Sequence, residues 1–237
     1  MTGRTVLSAF VIGLLLTTVS CSTMGHRKKE AVAQYKLGVS QFLAGNNQAA
    51  YVRFQEALRL DPNNKEVYNA LGNVHLRLKE YEKAEKSFKK AVSLDSQFSE
   101  AHNNLCYVYY KTGRYEEAIT SCERALANKV YATPEKAFYN LGFSYYRLER
   151  YDKALGAFED ALRRSPRSFQ AYYGLALVYN AQGRYGKASE AMGFALGFDP
   201  RFRGNAARAE QEFMKEQTES AGLDFKDLSD YIEILHY

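Results

Sequence analysis

The chain has 237 residues, 46% of them hydrophobic, and 32 Lys and Arg against 27 Asp and Glu give a net charge of +5. That length suits one sizeable fold and is short for two unrelated domains. Charges of both signs interleave, as from Lys79 to Lys90, which describes a solvated helix face and speaks against a nucleic-acid surface.

In chain order, Arg4 supplies positive charge, Val6 to Leu16 supply an apolar run, and small or β-branched residues from Thr17 to Ser20 precede Cys21. This is the layout of a secretory signal, with an apolar run too short for a permanent membrane span. Val19-Ser20-Cys21 resembles a bacterial lipobox, in which a small residue precedes a Cys that is acylated and becomes the new amino terminus; Thr18 departs from the usual Leu. The resemblance implies a signal peptide over 1–20 and a lipid on Cys21. Ser22, rather than Asp, after the Cys implies an outer-membrane anchor facing the periplasm. An ordinary cleaved signal with an incidental cysteine is the alternative. Residues 21–30, with His26-Arg27-Lys28-Lys29, then read as the lipidated end and a polar tether.

From Ala31 the sequence repeats. Five copies fall at 31–64, 65–98, 99–134, 135–168 and 169–202, and in each the apolar residues lie three to four apart in two successive runs. Two such stripes joined by a short polar break, as at Leu148-Glu149-Arg150, predict antiparallel helices packed on each other. The seventh and eighth places are Leu37-Gly38, Leu71-Gly72, Leu105-Cys106, Leu141-Gly142 and Leu175-Ala176. The twentieth is Ala50, Ala84, Ala118, Ala154 and Ala188, and the twenty-fourth is Phe54, Phe88, Cys122, Phe158 and Met192. Small residues let the helix backbones approach, and the large twenty-fourth residue is expected to fill the space between hairpins. All four prolines, Pro62, Pro134, Pro166 and Pro200, stand at repeat boundaries, where a helix must stop or start.

This pattern resembles the tetratricopeptide repeat, a 34-residue helix-turn-helix unit. The resemblance implies an all-α fold, a right-handed superhelical solenoid of stacked hairpins. The usual Trp of the fourth place is replaced by Gln34, Tyr68, His102, Phe138 and Tyr172.

The third copy breaks the pattern at two places at once. Cys106 stands where the other copies have a small residue and Cys122 where they have a bulky one, and the two places fall at about the same height on facing helices. In an oxidising periplasm the pair is a candidate disulfide; two buried free thiols are the alternative. The copy ends in an insertion, Asn128 to Thr133, with Thr133 expected to cap a helix that begins at Pro134. The stretch Ala127 to Gly142, ANKVYATPEKAFYNLG, resembles the corresponding junction of the PilF/PilW/Tgl family of type IV pilus biogenesis lipoproteins. That resemblance implies a pilotin, an outer-membrane lipoprotein that helps the pilus secretin reach the outer membrane and multimerise there.

In this repeat family the first helix of each hairpin lines a binding groove. Its groove places here hold Asn69 and Asn73, then Asn103, Tyr107 and Tyr110, then Tyr139, Phe143, Tyr146 and Arg147. Tyrosines offer apolar contact with a polar tip and asparagines pair with backbone, so the set suits an extended peptide or a helix. The alternative is that these aromatics pack against neighbouring hairpins. After Phe202 the pattern decays, and residues 203–237, with Leu228, Tyr231, Ile232 and Leu235 at helical spacing, read as a cap or a degenerate sixth repeat. The four histidines fall in no hydrolase or metalloprotease motif and no glycine-rich loop follows a strand, so no enzyme, cofactor or metal is expected. The expected partner is a secretin or another pilus assembly protein, with no nucleic acid; scaffolds of β-barrel assembly, peptidoglycan enzymes or exopolysaccharide export are the other classes that use such repeats.

Overall fold

A computed structural model describes residues 25–219 and 223–237, so the expected signal segment 1–20 and Cys21 lie outside the described residues. Among the described residues there are helices and turns and no strand. The described residues form two compact units, divided between Ser96 and Gln97. The first contains α1 (25–43), α2 (Asn47–Leu60), α3 (Lys65–Arg77) and α4 (Tyr81–Leu94). The second contains α5 (Ser99–Lys111), α6 (Tyr115–Ala127), α7 (Pro134–Arg147), α8 (Tyr151–Arg164), α9 (Phe169–Ala181), α10 (Tyr185–Phe198), α11 (Ala206–Glu219) and α12 (Leu223–Ile234). No helix among the described residues is long and apolar enough to cross a membrane.

The hairpin of each of the five repeats turns on one residue in the left-handed region, always the fifteenth of its repeat. Gly45, Gly113 and Gly183 take it at φ 83°, 76° and 69°, while Lys79 and Glu149 take it at 58° and 55°. The following N–H reaches back to close the first helix, as from Arg114 to the Tyr109 carbonyl at 2.8 Å and from Arg150 to Tyr145 at 2.9 Å. Asn64 and Ser168 cap α3 and α9 by accepting from the N–H of Val67 and Ala171. Thr133 stands at the N-cap of α7 and Pro134 at its first position as expected, though without such a side-chain bond. The polar tether also differs from expectation, because residues 25–30 continue α1. Their Arg, Lys and Glu are good helix formers, His26 faces Glu30 one turn on at 4.0 Å, and Arg27 reaches the Arg59 carbonyl at 3.4 Å.

The core follows the repeat register. Phe54, Phe88, Phe158 and the small residues Ala50, Ala57, Ala84, Ala91, Ala154 and Ala161 are at most 1% exposed. The bulky twenty-fourth residue packs against the first helix of its own hairpin as well as toward the next one. A Cβ on Gly38 would lie 2.5 Å from the Phe54 ring and one on Gly142 would lie 2.6 Å from the Phe158 ring, so the eighth place must be glycine for the ring to seat. The same residues also pack toward the next hairpin: the Phe158 ring occupies the space over Gly174, and Phe54 shares a core cluster with Val67, Leu71 and Val74 of α3. In the α5–α6 hairpin the same slot holds Cys106 and Cys122, whose Cα atoms are 5.3 Å apart and whose sulfurs are in bonding distance.

Candidate partner-binding face

The candidate residues lie on the first helices, where a spacing of three or four puts them on one face. In the first unit, Asn69 and Asn73 are half-buried on α3, and both already make interactions of their own. Nearby, the Arg77 guanidinium lies 3.6 Å over the Phe42 ring and donates to the Phe42 carbonyl at 2.5 Å and to Asn47 Oδ1 at 3.2 Å. Val32 and Leu43 on α1 stay exposed.

In the second unit the candidates divide into an open group and a covered one. Tyr107 is 38% exposed on α5, and Tyr110, Tyr139 and Phe143 are half-buried beside it. The Phe143 ring sits edge-on to Phe158 at 5.0 Å and 6.0 Å from Tyr110, which fixes its orientation from beneath. Burial pushes the Tyr139 phenol above its ordinary pKa, so it stays a neutral donor across the physiological range. Burial acts likewise on Tyr131, at the foot of α7, which it raises to about 12.

Asn103, Tyr146 and Arg147 are not open. Asn103 is buried and accepts from Asn140 Nδ2 at 3.1 Å, a bond that ties α5 to α7. Tyr146 is 7% exposed and donates to Asp230 of α12 at 3.5 Å. Arg147, with a side chain 4% exposed, holds Asp227 of α12 in a two-pronged pair at 2.8 and 2.5 Å and donates to the Tyr110 hydroxyl at 3.2 Å. Burial works against the guanidinium charge, and Tyr110 and Asp227 more than restore it. The expected sixth hairpin therefore departs from the repeat scheme: α12 packs on α9, α10 and α11, and its side chains reach first helices two hairpins back. Tyr231 completes this seat, 5.1 Å from the Tyr173 ring and 5.5 Å from Phe213. Beneath it Asp199, fully buried, accepts from the Tyr173 hydroxyl at 3.2 Å and from Arg201 at 2.8 Å, which fixes α9 against the chain that follows α10.

Asp227 and Asp230 were legible only as charges beside an apolar stripe. A carboxylate adjoining Leu228 and one turn before Tyr231 was the available sign that this helix meets a buried cation.

These features define a class: an all-α scaffold of repeated helical hairpins. Family models described as tetratricopeptide repeat match residues 66–98, 99–129 and 139–192, and one described as TPR repeat matches 38–79. The chain belongs to the tetratricopeptide repeat family. A search of curated proteins gives no match. Among solved structures, PilF of Pseudomonas aeruginosa superposes with a TM-score of 0.70 at 23% identity over 87% of this chain and 90% of its own. PilW, described as a widely conserved type IV pilus biogenesis factor, gives 0.70 at 20% identity over 86% and 90%. MamA gives 0.59 at 27% identity over 75% of this chain and 96% of its own. At these identities PilF and PilW establish the fold alone.

Proposed function

We propose that the chain is an outer-membrane lipoprotein of type IV pilus biogenesis, a pilotin that binds a segment of the secretin and assists its localisation and multimerisation. The observation that carries this reading is the extent of the likeness to PilF and PilW, 87% and 86% of the chain, against 75% for MamA. The junction from Ala127 to Gly142 and the Val19-Ser20-Cys21 lipobox support it independently. On this reading Cys21 carries the lipid, Cys106 and Cys122 form a disulfide in the periplasm, and the open aromatic strip of Tyr107, Tyr110, Tyr139 and Phe143 receives the partner.

Aromatic anchors at the centre of an interface are typically worth ~2 kcal/mol or more. Tyr107→Ala is therefore expected to weaken secretin capture about 30-fold, at ~1.4 kcal/mol per factor of ten. Tyr107 is exposed, so helical content and membrane attachment should be unchanged. The exposed Lys86→Ala on α4 is the control. Pull-down of the secretin and its multimer state in cells carrying these variants make the test. Normal capture by Tyr107→Ala moves the partner off this strip, and secretin multimers intact without the gene remove the pilotin role.

A further inference from the structure

The face of α7 and α9 already has an occupant, and its chemistry describes what the face selects. Helix α12 attaches there through residues 80 and 84 positions from their partners, Asp227 on Arg147 and Asp230 on Tyr146, and Tyr237 donates to Asn180 Oδ1 at 2.8 Å. A guanidinium buried as deeply as that of Arg147 requires an anion, because an unpaired buried charge is strongly destabilising. Its Nε is buried with no hydrogen-bond partner, so Asp227 leaves one donor of this site unanswered. Beside the pair, a cavity of about 290 Å³ opens between α12 and the helices beneath it, lined by Tyr146, Arg147, Tyr151, Asn180, Lys226 and Asp230. The Asp230 carboxyl meets the Tyr146 hydroxyl only at 3.5 Å, the long limit of a hydrogen bond. The face is thus built for a carboxylate and a tyrosine on one helix, and its resident helix fills it incompletely.

We propose that α12 is a displaceable self-ligand, and that the partner segment which replaces it is an acidic helix with a carboxylate one turn before an aromatic residue, the arrangement of Asp227 and Tyr231. This rests on the reading of the first-helix face as the partner-binding surface. Displacement would uncover Tyr146 and Arg147 beside Tyr110 and join the open aromatic strip to a cationic end. The resident helix then sets a threshold, since any ligand must first overcome its occupancy.

A synthetic peptide of residues 223–237, fluorescently labelled, is the probe, titrated against the full-length protein. With the resident helix weakened by Asp227→Asn and Tyr231→Ala, the peptide is expected to bind at least tenfold more tightly than to the unaltered chain. Arg147→Met should abolish that binding. Hydrogen exchange in the unaltered protein is the second measurement, for which α12 amides should exchange at least tenfold faster than those of α9. Equal affinity for both proteins, binding to neither, or exchange of α12 in step with α9 would overturn the proposal and make α12 a fixed part of the fold. Peptide binding together with unimpaired secretin capture by Tyr107→Ala would keep this inference and remove the secretin from the strip. Capture that depends on Tyr107, with no peptide binding, would do the reverse.

Discussion

Hairpins α3–α4 and α5–α6 share one register and close the same slot by different means. In the first, the Phe88 ring lies where a Cβ of residue 72 would be, so Gly72 and Phe88 interlock through shape. In the second, Cys106 and Cys122 occupy the two places, and the slot is closed by a bond between sulfurs whose Cα atoms are 5.3 Å apart. A ring buried on a glycine stabilises by apolar area and dispersion in the folded state. A crosslink acts chiefly by restricting the unfolded chain. One position can therefore be filled by either device only if both places change together, which is what the sequence does.

The largest expected effect breaks the first device. Phe88→Ala removes a fully buried ring and leaves a cavity over Gly72, at a cost of about 3–5 kcal/mol. Urea unfolding of the reduced and oxidised protein should give the same loss, since the cysteine pair lies in another hairpin. Next comes the second device. The cysteines are separated by 16 positions, for which the chain-entropy account gives ~3 kcal/mol as an upper value. Reduction should lower the denaturation midpoint accordingly, and alkylation of denatured, unreduced protein should leave both thiols unlabelled. Cys106→Gly with Cys122→Phe converts α5–α6 to the common device. That double variant should lose all dependence on reductant, whereas Cys122→Phe alone should clash and unfold at lower urea.

The paired substitution is legible in the sequence because the repeat register alone names which places face each other. The same register placed Tyr107, Tyr110, Tyr139 and Phe143 on one face. It failed for α12, because Leu228, Tyr231 and Ile232 mark an amphipathic helix without saying which surface receives it. The repeat pattern puts Arg147 at a groove place of its first helix, open to a partner. Its burial depends on Asp227, a contact 80 residues away that no local periodicity encodes.

The smallest expected effect sharpens the comparison at the turns. Gly113 closes α5 at φ 76°, whereas α3 closes at Lys79 with φ 58°, in the region where a Cβ meets its own carbonyl. That conformation costs a non-glycine residue about 1–2 kcal/mol, part of which glycine returns through its greater freedom in the unfolded chain. Lys79→Gly should therefore stabilise the protein by about 0.5–1 kcal/mol, read as a rise of about 2–4 °C in thermal midpoint per kcal/mol for a chain of this size. Lys79 is exposed, so little side-chain contact is lost with it. Gly113→Lys, the reverse change in the other hairpin, should destabilise by a similar amount. The two together should nearly cancel, because each change acts on the backbone conformation of its own turn. A stabilising Gly113→Lys would mean that the fifteenth place is held by charge and not by backbone conformation, and the shared turn chemistry inferred for the hairpins would then fail.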